Sequence, residues 1–259
     1  MTHGTLALSV VTPVYNSSRY LAATLDSVAR LTVPHEHIVI DGGSTDGTVE
    51  LLEAREDPRL TWLSEPDRGQ THAVNKGFAR ARGELVGWLN GDDEYVPEAV
   101  ARAVERMLSE PTLDVVFGPM EITDEDGTRR RTYRPLPFSW RLYLFIGDYV
   151  TTPTIIFRRS RLENVGLLDE RYVDAADYDF HLRLLRGARV ERWREPLVRF
   201  RYHSESKTGS DYDRGQREAL AIRLRWARGR RDRVLMEGYD RFKREVFPRI
   251  SRWPRMYAD

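Results

Sequence analysis

Four apolar stretches in the amino-terminal half each run straight into a polar or acidic turn, with helix-spaced segments between them. Leu6–Val14 leads into Tyr15-Asn16, and His37–Asp41 into Gly42-Gly43-Ser44-Thr45-Asp46-Gly47. Leu60–Ser64 leads into Glu65-Pro66-Asp67, and Glu84–Leu89 into Asn90-Gly91-Asp92-Asp93. Leu21, Leu25 and Val28 recur at helical spacing, Thr48–Arg55 and Gln70–Arg82 read as helices, and Pro97 opens a further helix to about Leu108. Strands that alternate with short helices predict an α/β fold with a mostly parallel sheet. Ligands of such sheets bind beyond the carboxyl ends of the strands. All four polar ends should therefore line one rim.

After about residue 118 the rhythm changes. Asp124-Glu125-Asp126-Gly127 between two β-rich runs predicts a hairpin. Phe138–Ile146 and Asp177–Arg186 read as helices, and Thr154–Phe157 and Leu197–Tyr202 as strands. Ser204–Gly215 is polar and reads as a loop, either a lid able to close over a ligand or a disordered connector, and a basic helical tail follows. The expected organisation is an α/β half at 1–117, a second half of the same domain at 118–210, and the tail at 211–259.

Composition excludes several classes. The chain has 259 residues, no cysteine and a net charge of +1. Disulfides, thiolate metal sites and cysteine nucleophiles are ruled out, and nothing pulls the chain toward nucleic acid. The apolar run before Val14 lacks a basic leader, and no stretch reaches the ~18–20 apolar residues of a spanning helix. The expected location is cytoplasmic.

The rim residues suggest particular chemistry. Clustered carboxylates such as Asp92-Asp93 repel each other unless a cation sits nearby, and a hard divalent ion with oxygen ligands is the usual solution. Neighbouring side chains in an extended segment point apart, so one of the pair is expected on the metal and the other on sugar, ribose or groups that support the metal ligands. Asp41, at a strand end, is placed to accept from a ribose or base. Ser44 and Asp46 are better read as helix caps. Arg68 and Lys76, near a helix start, are candidates for a phosphate, with a solvated helix face as the alternative for Lys76.

The segments Ser9–Asn16, Ile40–Thr48, Glu65–Gln70, Asn75-Lys76-Gly77, Trp88–Asp93, Pro153–Arg159, Val165–Asp169 and Asp177–Phe180 occur in an order that resembles the family 2 glycosyltransferases. The resemblance spans roughly residues 6–206. It implies a GT-A fold: a Rossmann-like central sheet flanked by helices, with a carboxyl-terminal acceptor-binding portion. It further implies an inverting transferase that uses a nucleotide-diphosphate sugar of the UDP, dTDP or GDP type, with Mn2+ or Mg2+. By position, Thr12, Pro13, Tyr15 and Asn16 would flank the nucleotide, and Asp41 and Asp67 would contact base or ribose. Asp92-Asp93 would be the metal motif, with Asp93 the direct ligand and Asp92 on the nucleotide sugar. His203 would approach the diphosphate or metal, and Asp177 would be the general base, preferred over Asp179. The chain departs from the family at Gly42, where many members carry a second acidic residue, and at Ala176, where many carry Glu.

The acceptor would be a saccharide or a lipid-linked glycan. Trp140, Tyr143, Phe145, Tyr149 and Tyr172 are candidates to stack on it, but interleaved leucines equally suit a core. The basic segment Arg223–Arg231 with Trp226 could meet an anionic membrane surface, or could pack as a solvated helix through Leu220, Leu224 and Leu235. The competing function is a sugar-nucleotide-binding protein without transferase activity. A Rossmann oxidoreductase is disfavoured because Pro13–Ser18 lacks a G-x-G-x-x-G turn, and a pyrophosphorylase because that turn is not glycine-rich.

Overall fold

A computed structural model of the chain describes residues 6–147, 149–204 and 212–245. At its centre lies β1 (Leu8–Val14), every residue of which is buried. A strand covered on both faces needs a mostly apolar run, and its two polar residues, Ser9 and Thr12, meet Glu36 and His37 of the neighbouring strand. β1 pairs in parallel with β2 (His35–Asp41) on one side and β4 (Leu85–Trp88) on the other. β3 (Leu60–Ser64) extends the sheet in parallel beyond β2.

Seven strands form this sheet, in the order β10-β6-β9-β4-β1-β2-β3. β9 (Ile156–Arg158) runs antiparallel to both β4 and β6 (Val115–Phe117), and β10 (Val190–Arg192) pairs in parallel with β6. The sheet thus draws strands from both halves of the sequence. The carboxyl ends of β1, β2, β3, β4, β6 and β10 all reach the same rim. The expected parallel α/β architecture is present, with one antiparallel strand inserted.

A second, four-stranded sheet in the order β5-β11-β7-β8 stands beside that rim. It comprises β5 (Glu94–Tyr95), β7 (Met120–Thr123), β8 (Arg129–Tyr133) and β11 (Val198–Arg201). β7 and β8 form the hairpin that Asp126-Gly127 predicts. β11 pairs with both β5 and β7 and so carries its end to the Asp92-Asp93 turn.

Helix α3 (Gln70–Phe78) packs its buried Ala73, Val74, Gly77 and Phe78 on the sheet. α3 ends at Phe78, short of the expected Arg82, and Gly83 serves the sheet rather than the helix. A Cβ there would lie 2.6 Å from the Ser9 nitrogen and 2.9 Å from the Leu85 carbonyl, so only glycine fits between β1 and the start of β4.

The tail is two helices, α8 (Tyr212–Trp226) and α9 (Arg230–Glu245). The loop expected at 204–215 is therefore helical from Tyr212, and residues 205–211 lie outside the described residues. Arg223 and Asp240, each 1% exposed, join the helices through a 2.9 Å ion pair. Ile222 and Met236 share the main core, whereas Leu235 is 61% exposed rather than packed. Tyr143 and Tyr149 are buried in that core with Tyr178 against them, and Trp140 packs edge-on to Trp226. The aromatic set is structural in this arrangement.

Candidate active site

The turns after β1 and β2 are stitched together. Asn16 takes a left-handed backbone (φ 48°), which asparagine tolerates better than most residues. Its N–H donates to Ser44 Oγ at 2.7 Å, and its Oδ1 accepts from Thr45 N at 3.0 Å. Ser18 N donates to Asp46 Oδ2 at 3.0 Å. Tyr15 stands beside this clamp, 65% exposed at the rim.

Thr12, Pro13 and Asp41 do not present side chains to the rim. Thr12 and Pro13 are buried within β1, and Thr12 Oγ1 lies 2.9 Å from His37 Nε2. Asp41 is wholly buried, and protein donors occupy its carboxylate. The N–H groups of Gly43 and Ser44 (3.0 Å each), the Ser44 hydroxyl and the Ser64 hydroxyl (2.6 Å) all point at it. Asp41 builds the turn and ties β3 to β2.

Asp67 is the carboxylate left facing this corner. Its Oδ1 accepts from Gly69 N at 2.7 Å. A Cβ at residue 42 would sit 2.8 Å from Asp67 Oδ2. Glycine replaces the expected second acidic residue at a point where any side chain crowds Asp67. Arg68 and Lys76 are held in ion pairs with Glu170 (2.6 Å) and Glu65 (2.7 Å).

At the end of β4 the two adjacent carboxylates part company. Asp93 is completely buried. It accepts from Arg201 N at 3.1 Å and from Asn90 Nδ2 at 3.2 Å, and Thr24 Oγ1 donates to its carbonyl at 2.7 Å. Burial, reinforced by the charge of Asp92, pushes the Asp93 carboxyl well above the usual carboxylate range. Asp92 points the other way. Its side chain is 30% exposed, and its Oδ2 lies 3.0 Å from His203 Nε2. The His203 ring packs on Tyr20, with centroids 4.7 Å apart. The geometry thus makes Asp92 the partner of His203 and Asp93 an internal brace, the reverse of the ranking expected for the pair.

Sequence reading missed the residue that fixes this turn. Arg201, at the end of β11, is 7% exposed. Its guanidinium donates to Glu94 Oε1 (2.6 Å), the Glu125 carbonyl (2.9 Å) and the Asp92 carbonyl (3.3 Å). It also lies over the Tyr20 ring, 5.1 Å from the centroid. The Arg-Tyr-His run was visible, but the 108-residue span between Arg201 and Asp93 carries no local signal.

Asp177 sits in the first turn of α7 (Ala176–Leu185). Thr152 Oγ1 donates to its Oδ2 at 2.9 Å, and Tyr178 N to its Oδ1 at 2.8 Å. Each carboxylate oxygen keeps lone-pair capacity beyond these bonds. Asp179 is 2% exposed and already paired with Arg183 (2.9 Å) and Arg225 (3.4 Å). Of the two, Asp177 is the one available to a ligand. Glu218 of α8 braces this region by accepting from the N–H groups of Val173, Asp174 and Ala175 at 2.9–3.1 Å. Neither Thr152 nor Glu218 carried a sequence signal.

Asp92 and His203 form a carboxylate–imidazole pair at the rim. No cluster of three or more His, Cys, Asp or Glu side chains occurs among the described residues. A hard divalent ion does not need one, because it binds through one or two protein groups and fills its other positions with water and phosphate oxygens. Asp92 Oδ2 and His203 Nε2, joined by a 3.0 Å hydrogen bond, bring one oxygen and one nitrogen donor to the same point of the rim, a donor set that such an ion accepts.

Comparison with known proteins bears on the family and the fold. The family model described as "Glycosyl transferase family 2" matches residues 9–186. An uncharacterized glycosyltransferase of Mycobacterium tuberculosis is 35% identical over 181 residues, covering 68% of this chain and 68% of its own. An O-antigen biosynthesis protein of Myxococcus xanthus is 32% identical over 80% of this chain, which spans only 16% of that protein. Among solved structures, Staphylococcus aureus TarS 1–349 with UDP-GlcNAc superposes with a TM-score of 0.69 at 20% identity, covering 96% of this chain and 77% of TarS. A Pyrobaculum calidifontis mannosyltransferase with GDP-Man and Mn2+ gives 0.66 at 20% identity, covering 95% of this chain and 72% of its own. The order of the strands, the rim they share and the matched residues together show that this chain belongs to glycosyl transferase family 2 and has the GT-A fold.

Proposed function

We propose that the chain transfers a sugar from a nucleoside-diphosphate sugar to an acceptor hydroxyl with inversion at the anomeric carbon. The observation that carries this reading is the pair Asp92 and His203, 3.0 Å apart at the rim between the stitched nucleotide-side turns and Asp177. The nucleotide complexes of TarS and the mannosyltransferase support a donor of this class.

In this reading Tyr15, Asn16 and Asp67 contact base and ribose, while Thr12, Pro13 and Asp41 hold the turns in shape. Asp92 and His203 would hold Mn2+ or Mg2+, which would supply charge neutralisation for the leaving diphosphate. Asp177 accepts the proton of the acceptor hydroxyl as its oxygen attacks the anomeric carbon and the bond to the diphosphate breaks. Thr152 and Tyr178 N fix the carboxylate's orientation. Attack from the Asp177 side, opposite the diphosphate, inverts configuration. The fold then divides into a donor half at 1–117 and an acceptor half at 118–210, with the tail completing the acceptor side. No helix among the described residues is long and apolar enough to cross a membrane. The reading places the reaction in the cytoplasm, at the inner membrane face if the acceptor is lipid-linked.

A thermal-shift panel of UDP-, dTDP- and GDP-sugars, each with and without Mn2+, tests the proposal. A ligand at 100 times its Kd stabilises the native state by about 2.7 kcal/mol, so one donor should stand out. Donor binding without transfer or donor hydrolysis across an acceptor panel would favour the binding-protein reading instead. No stabilisation by any donor, with or without Mn2+, would overturn both.

A further inference from the structure

The rim extends past Asp177 to the far edge of the sheet. β6 leaves it through Phe117-Gly118-Pro119, and β10 through Arg192-Trp193-Arg194. Because β6 and β10 are parallel to each other and antiparallel partners link β6 to β4, these exits lie at the same edge as Asp92. β6 and β10 are the second and third strands beyond β4. At ~4.8 Å per strand, they end roughly 10–15 Å along the rim from the end of β4.

A cleft of about 250 Å3 opens there, lined by Pro119, Arg134, Pro135, Arg192, Trp193 and Arg194. All three arginines are exposed. Arg192 donates to the Pro135 carbonyl at 3.0 Å. None of the three has a carboxylate partner among the described residues, in a chain whose arginines are otherwise widely ion-paired. The Trp193 indole nitrogen is buried without an acceptor among those residues. Its backbone is fixed by a 2.7 Å bond from Trp193 N to the Phe117 carbonyl.

Three guanidinium groups held together without counter-charge repel one another, and a bound oxyanion removes that cost. Guanidinium forks match phosphate oxygens in paired hydrogen bonds. The volume falls below the roughly 300–1,000 Å3 of pockets that enclose drug-sized ligands, so it suits one anionic group rather than a whole oligosaccharide.

We propose that this arginine cleft is an acceptor subsite that binds a phosphate or phosphodiester group of the acceptor. The proposal rests on the transferase reading and adds that the acceptor is anionic. The phosphate belongs either to a soluble phosphorylated saccharide or to the headgroup of a lipid-linked one.

Calorimetric titration with glucose 1-phosphate and with glucose, in EDTA, tests the cleft apart from the donor site. It compares wild type, Arg134→Gln/Arg194→Gln and Asp92→Asn. Arg134 and Arg194 make no contact that the fold depends on, so the double variant should retain the wild-type melting temperature and donor shift. Wild type should bind the sugar phosphate and not glucose, with affinity falling as salt rises. The double variant should bind about tenfold or more weakly, and Asp92→Asn should bind as wild type. Equal binding by wild type and the double variant would overturn the proposal, as would loss in Asp92→Asn alone, which would put the anion in the donor site. No sugar phosphate bound by wild type, together with no retention on neutral vesicles carrying a polyprenyl diphosphate, would also overturn it. Retention on those vesicles, lost in the double variant, would support it and assign the phosphate to a lipid. Donor stabilisation that persists while the cleft fails would sink this inference and leave the transferase reading standing.

Discussion

Replacing Gly42 with alanine tests whether Asp67 holds the donor's base or ribose. The added Cβ would sit 2.8 Å from Asp67 Oδ2, 3.1 Å from its Cγ and 3.3 Å from Oδ1, against the 3.4–4 Å of ordinary contact. Asp67 must swing away, which breaks its 2.7 Å bond from Gly69 N. The corner is open to water, so the lost bond should cost only about 1 kcal/mol of stability. In a chain of this size that lowers Tm by about 2–4 °C. The effect on the donor should be larger. A hydrogen bond to a charged group contributes about 1.5–3 kcal/mol, which makes donor binding ~10–100-fold weaker. Titration calorimetry with the preferred donor and Mn2+ reads this directly. Asp67→Asn should cost a similar amount, and the double variant little more than either, because both changes remove one contact. Donor affinity in Gly42→Ala within about twofold of wild type would refute the reasoning, as would losses that simply add.

Other expectations follow from the same geometry. Asp177→Asn should bind donor normally yet lose transfer, whereas Asp179→Asn should lower Tm through its Arg183 and Arg225 pairs and keep measurable turnover; the opposite pattern would move the base to Asp179. His181 and His37 are buried and held neutral, with pKa values pushed down to about 4 and about 3, chiefly by burial. The unfolded chain protonates them near 6.5 and the folded chain does not, so their contribution is full above that pH and falls as the pH drops toward 4 and 3. Each should cost about 2 kcal/mol between pH 7 and pH 5, read from urea midpoints; equal midpoints at the two pH values would contradict this. Exposed Val234, Leu235 and Phe242 lie among the arginines of α9. Wild type should therefore sediment with anionic vesicles and Val234→Ser/Leu235→Ser should not, and failure of wild type to sediment would remove the membrane contact.

Much of the donor half was legible because its rules are local. Strict strand–helix alternation and polar strand ends gave β1 to β4 and their common rim, and Asp-Gly gave the β7–β8 hairpin. What escaped depends on distant partners. Asp41 looked like a ligand group at a strand end, but Ser64, from the neighbouring strand, helps saturate it. The order of Asp92 and Asp93 is set by Arg201, which arrives on β11 of a second sheet. In α9 the buried apolar residue is Met236 rather than Leu235, a single step of about 100° around the helix. Asp179 is occupied in part by Arg225, from α8, a partner that no local pattern shows.

In the proposed reaction Asp92 and His203, and not Asp93, present the metal to the donor's diphosphate. The most direct measurement is the extra donor stabilisation that Mn2+ brings, compared in wild type, Asp92→Asn and Asp93→Asn. The account predicts that Asp92→Asn folds normally and loses the Mn2+ increment. Asp93→Asn should melt at a lower temperature, because its amide meets the Asn90 amide, and should still respond to Mn2+. An unchanged increment in Asp92→Asn, with its loss in a well-folded Asp93→Asn, would contradict the account.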